Sequence, residues 1–291
     1  MKPYIVIVLA VFFLACEKGI TIQPENQPAK LVVEAQIENG QPPIVQLSNS
    51  LNFFSLITRA MLQGSFVHDA AVTVSNGTLS QPLIEYKVPI DSGYFVYYYG
   101  LPAGAPLLLG EEGKTYKLDI RVGGAVYTSS TTIPVLAKTI DSLWWKPAPR
   151  VEDTPRVTLM VKVTDPPGYG NYIRYFTRVN RDPFFPGASS VFDDQIVDGT
   201  TYEIQVDRGI NRNDTLDEKE YGFFRRGDTA TVKFANIDKV SFEFWRGLEY
   251  SYQSVGNPFS TPTRVVGNIS NGALGAFCGY AVQYKTVIIP K

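Results

Sequence analysis

Tyr116-Lys-Leu-Asp-Ile-Arg-Val122, followed by Gly123-Gly124 and Ala125-Val-Tyr-Thr128, is the stretch on which the fold turns. Apolar and polar residues alternate up to the glycine pair, the period of a strand with one buried face. Two adjacent glycines then supply a tight two-residue turn, so this stretch predicts a β-hairpin. Asn76-Gly77 predicts a second turn of the same kind.

Working outward, residues 31–37, 44–47, 71–75, 83–88, 94–99, 115–122 and 126–133 read as short strands, rich in β-branched and aromatic residues. Strands at this spacing predict a sandwich of immunoglobulin-like or transthyretin-like character over residues 30–135. Residues 52–63 are an apolar interlude, read as a short helix or a loop crossing the sandwich end. Pro134, Pro147, Pro149 and Pro155 cluster around Trp144-Trp145 and mark residues 136–155 as a junction. Beyond it Val157, Leu159, Val161 and Val163 alternate with more polar neighbours, and Asp165-Pro-Pro-Gly168 turns the chain into a strand over 172–179. Further strands are expected at 202–206, 229–234, 240–244 and 281–289, with long loops at 182–199 and 208–227. No helical period persists, so the expected class is all-β, two sandwich-like domains with a β-rich second half over 156–291.

The chain opens with Met1-Lys2 and an uncharged apolar run to Ala15-Cys16, the layout of a secretory signal over residues 1–15. The run is well short of the ~20 residues that a spanning helix needs. Phe13-Leu14-Ala15-Cys16 resembles the lipobox of bacterial lipoproteins, with Phe13 a departure from the usual aliphatic residue. The expectation is therefore lipidation at Cys16, a polar tether over 16–29, and a membrane partner reached through the lipid anchor. An ordinary cleaved signal with an incidental cysteine is the alternative.

Lys+Arg 27 against Asp+Glu 28 gives a net charge of -1 without a basic stripe, so nucleic acid is not an expected partner. With Cys16 assigned to the lipid, Cys278 is left alone in an apolar run, and no disulfide is expected. The single histidine, His68, lacks any Gly-x-Ser-x-Gly elbow to serve. Zinc and haem lack the ligands they need, so no metal and no cofactor are expected. The loop Asp207, Asn211, Asn213, Asp214, Asp217, Glu218 has oxygen ligands for calcium without the glycine or spacing of an EF-hand, and reads as solvated. Asp193-Asp194 is the acidic pair to test in a glycan hydrolase reading, although nothing marks it out from other carboxylates.

Aromatic residues cluster at Tyr94 to Tyr99, at Trp144-Trp145, and at Phe242, Phe244, Trp245, Tyr250 and Tyr252. Exposed rings hold sugars or partner proteins, and buried ones build a core. Trp144 and Trp145 are the first choice for a ligand platform, because pockets form at domain junctions.

The lipobox, Leu31-Val-Val-Glu-Ala-Gln-Ile-Glu-Asn-Gly40, Val72-Thr-Val74, Gly93-Tyr94, Tyr116-Lys-Leu118, Ile140-Asp141, Phe192-Asp-Asp194, Gly227-Asp228, Asn257-Pro-Phe-Ser260 and Gly279-Tyr280, in that order, resemble the domain-of-unknown-function lipoprotein family numbered 4249, found in Bacteroidetes. The resemblance implies an outer-membrane lipoprotein without established activity, usually encoded beside a TonB-dependent receptor. It implies an accessory role in nutrient uptake, binding a glycan or peptide ligand or the receptor itself, on the periplasmic or the cell-surface side. A structural or adhesive envelope protein is the other non-enzymatic reading. Asp141-Ser-Leu143, Asp214-Thr-Leu216 and Asp228-Thr-Ala230 resemble the O-glycosylation acceptor motif of that phylum.

Overall fold

A computed structural model describes residues 28–51, 57–91, 93–149, 155–212, 220–255 and 264–291. The signal, Cys16 and most of the tether lie outside the described residues, as do Asn213 to Glu218 and the Asn257-Pro-Phe segment.

The first half is a two-layer sandwich. One layer contains β1 (Leu31–Glu38), β2 (Ile44–Asn49) and β5 (Tyr94–Gly100); the other contains β3 (Ala71–Ser75), β6 (Thr115–Val122) and β7 (Ala125–Thr132). The strand β4 (Ser80–Asp91) belongs to both, pairing with β3 through Ser80 to Leu83 and with β5 from Ile84 onward. Between the layers lie Val33, Ile37, Leu47, Val74, Leu118 and Ile120, the inward positions of the sequence alternation. The β6–β7 hairpin forms as expected, with φ of 57° at Gly123 and 78° at Gly124. The Asn76-Gly77 turn is longer than the two residues expected. Ser75 pairs with Ser80, and Asn76 Oδ1 accepts the Thr78 and Leu79 amides. Within the apolar interlude, α1 (Arg59–Gly64) is capped by Thr58, whose side chain accepts from Met61 N; residues 52–56 are not described.

In the second half, β8 (Thr139–Pro147) and β12 (Thr201–Val206) flank β9 (Arg156–Thr164), and β13 (Phe224–Arg225) extends β9 on the β12 side. This small sheet faces β10 (Tyr172–Val179) and β14 (Thr229–Ile237) across a core of Val157, Leu159, Val163, Ile173, Val232 and Phe234. The outer partner of β10 is β11 (Phe185–Phe192), where the sequence predicted a loop. Pro186-Gly187-Ala-Ser-Ser190 carries no apolar alternation, and Gly187 is demanded by the Tyr175 hydroxyl, which a Cβ would overlap.

Residues 239–254 overturn the expected strand at 240–244. They form α2 (Lys239–Ser254), capped by Asp238, whose side chain accepts from Ser241 N. Phe242 and Phe244 alternate as strand residues would, yet Phe242, Trp245, Leu248 and Glu249 recur at helical spacing, and an Asp-x-x-Ser start satisfies the first-turn amides.

The last strand, β15 (Leu274–Ile288), runs parallel to β1 on one side and antiparallel to β14 on the other. It therefore joins both halves into one eleven-stranded ladder among the described residues, and the stretch read as a junction over 136–155 contains the strand β8. Phe277 enters the first core while Ala276, Cys278 and Tyr280 face α2 from the opposite side. Gly275 opens the parallel pairing at φ 94°, where a Cβ would collide with the Val33 carbonyl. No described helix is long and apolar enough to cross a membrane.

Candidate functional site: a cleft beside helix α2

The helix α2 lies on the face of the sheet opposite the sandwich core. Small side chains beneath it, Ala235 on β14 with Ala276 and Cys278 on β15, let it approach closely. It covers β15 and β10 but leaves β1 open, so a cleft of about 610 Å³ runs along its flank. Val32, Glu34 and Gln36 of β1 form one wall; Phe244, Trp245, Leu248 and Tyr252 of α2 form the other; Arg174 and Phe176 of β10 lie in the floor.

Arg174 organises that floor. Alternation on β10 sends Ile173 and Tyr175 into the second core and Arg174 to the helix side, where it is 6% exposed. Its guanidinium stacks over Trp245, 3.4 Å from the ring centroid, and lies 4.7 Å from Phe176. Nε donates to Ser190 Oγ at 3.2 Å and Nη1 to the Tyr280 hydroxyl at 3.4 Å. The same hydroxyl accepts Trp245 Nε1 at 2.9 Å. Desolvation raises the Tyr280 pKa well above its ordinary value, so it stays a neutral phenol. Buried Glu249 takes both its bonds from Ser190, the amide at 2.9 Å and the hydroxyl at 2.5 Å. Gln253 holds the end of α2 to Ala188 O and Ser189 Oγ. Arg212, exposed beside the cleft, lies 4.5 Å from the Tyr252 ring. The result is an aromatic and aliphatic slot with a fixed cation in its floor.

The tryptophans chosen from sequence are not brought together as a platform. Trp144 and Trp145 are neighbours on β8, so their side chains leave opposite faces. Trp145 packs on the second core with Arg226 5.0 Å from its ring, and Trp144 faces away with Lys146 at 5.7 Å. Of the aromatic positions singled out, Phe244, Trp245 and Tyr252 do line the cleft, presented by a helix in place of the strand expected. Tyr94 to Tyr99 lie on the β4–β5 hairpin, where Tyr86 stacks on Tyr98 and Lys87 covers Phe95. Arg174 was missed altogether; its one signal is a cation at the centre of an aromatic strand, Tyr172-Ile-Arg-Tyr-Phe176.

The other candidates sit elsewhere. His68 pairs through Nδ1 with Glu85 at 2.6 Å and packs edge-on against Tyr97. Cys278 is a free buried thiol whose pKa is pushed up by desolvation. Asp194 is buried, its Oδ2 accepting the Gly170 and Asn171 amides, while the adjacent Asp193 is half-buried. Asp165, Asp194 and Asp198 bring carboxylate oxygens within 4.8 Å of one another. The wholly buried Lys138 ammonium lies 3.4 Å from Asp165 Oδ1, so a lysine supplies positive charge inside this group. Asp207 Oδ1 accepts Gln205 Nε2 at 2.8 Å, and the rest of the expected calcium loop is only partly described.

Among the described residues the fold is all-β, and the cleft is a largely apolar slot with a buried arginine in its floor. The family model described as a domain of unknown function (DUF4249) matches residues 17–286, and the chain belongs to that family. No curated protein matches the chain.

Proposed function

We propose that this protein is a lipid-anchored binding or scaffolding component of the outer membrane, working with a TonB-dependent receptor in nutrient uptake, and that the cleft beside α2 is its ligand site. The cleft is the observation that carries the reading. Its volume of about 610 Å³ falls within the range of small-molecule sites, roughly 300–1,000 Å³, and its walls combine apolar surface with a few fixed polar groups. Its lining holds no histidine, and its buried carboxylate is occupied by Ser190, so its groups suit recognition better than proton transfer. Anchoring rests on the lipobox reading of Cys16, and the receptor partnership on what the family resemblance implies.

The test is purification of the tagged, lipidated protein from detergent-solubilised outer membrane, with mass spectrometry of whatever elutes at near-stoichiometric amounts. A TonB-dependent receptor in the eluate is the expected result. Its reproducible absence, with an acylated Cys16 confirmed by intact mass, would overturn the partnership.

A further inference from the structure

We infer that the ligand of the α2 cleft is an amphiphilic carboxylate: an apolar body lying on Phe244, Leu248 and Val265, with its carboxylate on Arg174. The inference rests on the cleft being the binding site. Arg174 is 6% exposed, yet among the described residues no carboxylate oxygen approaches it within 4.0 Å. It reaches buried Glu249 only through the Ser190 hydroxyl, and both Glu249 oxygens are already engaged by Ser190. Nε and Nη1 have protein acceptors, whereas Nη2 has none among the described residues and is not sealed away from the cleft that Arg174 lines.

A guanidinium stacked on an indole, fixed by two hydrogen bonds and left with donors toward a cavity is preorganised for a planar anion. Carboxylate geometry matches its fork, and Arg212 beside Tyr252 adds a second cation near the same opening. Glu34, exposed on the β1 wall, disfavours a ligand that is anionic along its whole length and leaves a single charged head as the fit. The remaining surface is largely apolar, so the body is hydrocarbon or aromatic. A fatty carboxylate and the C-terminus of a hydrophobic peptide share this chemistry.

The experiment titrates the purified full-length protein, following Trp fluorescence against protein-free detergent blanks, with four probes. They are decanoate and decanol, and N-acetyl-Leu-Phe as the free acid and as the carboxamide. Expected is tighter binding of one acid than of its neutral partner by at least about tenfold, the scale of a charge-assisted hydrogen bond. Whichever acid wins names the source. Arg174→Met, checked for an unchanged far-ultraviolet spectrum, should erase the preference; because the acid-against-neutral comparison is made on the unaltered protein, a misfolded variant does not decide the outcome. Equal affinity within each pair would overturn the carboxylate assignment while leaving the cleft as a binding site. No binding by any probe would overturn the inference, and receptor copurification would then report separately on the partnership.

Discussion

Lys138→Met removes the positive charge from a buried group of carboxylates while keeping a flexible apolar stem. Lys138 is wholly buried, with Nζ 3.4 Å from Asp165 Oδ1, and Asp194 and Asp198 complete a group within 4.8 Å. Its backbone is clasped by Asn236, which accepts the Lys138 amide at 2.9 Å and donates to its carbonyl at 2.8 Å, so the substitution should leave the chain path intact. Coulomb attraction at this distance is about 5 kcal/mol at an effective dielectric of about 20. Breaking a buried pair by removing one partner costs about 3–5 kcal/mol. The Asp165 pKa is already raised, first by desolvation and then by Asp194 and Asp198, with Lys138 pulling it down. A raised carboxylate favours folding when protonated, and that contribution is lost as pH rises through its folded pKa. Removing Lys138 pushes the pKa higher still. The penalty should therefore be complete at neutral pH and shrink on acidification, as a proton takes over the role of the ammonium. Urea denaturation across pH measures it, and Lys138→Met combined with Asp165→Asn should recover most of the loss. A Lys138→Met protein as stable as the unaltered one at neutral pH, or a penalty independent of pH, would refute the reasoning.

Three further outcomes are expected. Asp238→Ala removes the cap of α2 and should lower stability by about 1 kcal/mol in denaturant titrations. Phe277→Ala empties a fully buried site in the strand shared by both halves and should cost about 3–5 kcal/mol, with amide exchange accelerating in β6 as well as in β14. Because desolvation raises its pKa and it is only 1% exposed, Cys278 should resist a thiol reagent in the folded protein and react in denaturant.

Local signals in the sequence reached as far as local physics does. The Gly123-Gly124 hairpin and the alternation of Val157 to Val163 each follow from backbone geometry within a few residues, and each forms. The helix was hidden because Val240, Phe242 and Phe244 satisfy a two-residue period as well as part of a helical one. Asp238 with Ser241, and Phe242 with Trp245 and Glu249, resolve the ambiguity only when caps are weighed with periodicity. The strand β11 gives no apolar pattern because its inward position at Gly187 is set by the bulk of Tyr175 across the pair, a fact about tertiary packing. Arg174 stands in the same position: its stacking on Trp245 joins strand and helix from distant parts of the chain, and no local window contains both.

The location of the cleft follows from the same long-range pairing. Proline density placed the meeting of the two halves at residues 136–155 and pointed to Trp144 and Trp145, yet the hydrogen-bonded seam is β1 against β15. Parallel pairing needs a crossover connection, and here nearly the whole chain intervenes, so the seam leaves no turn or linker to read. The cleft sits on that seam, with β1 from the first half, β10 and α2 from the second, and β15 between them. Its shape consequently depends on both halves being folded against a common strand. A ligand that bridges the β1 wall and the helix wall would stabilise the assembled arrangement, by an amount that grows with its affinity for the cleft.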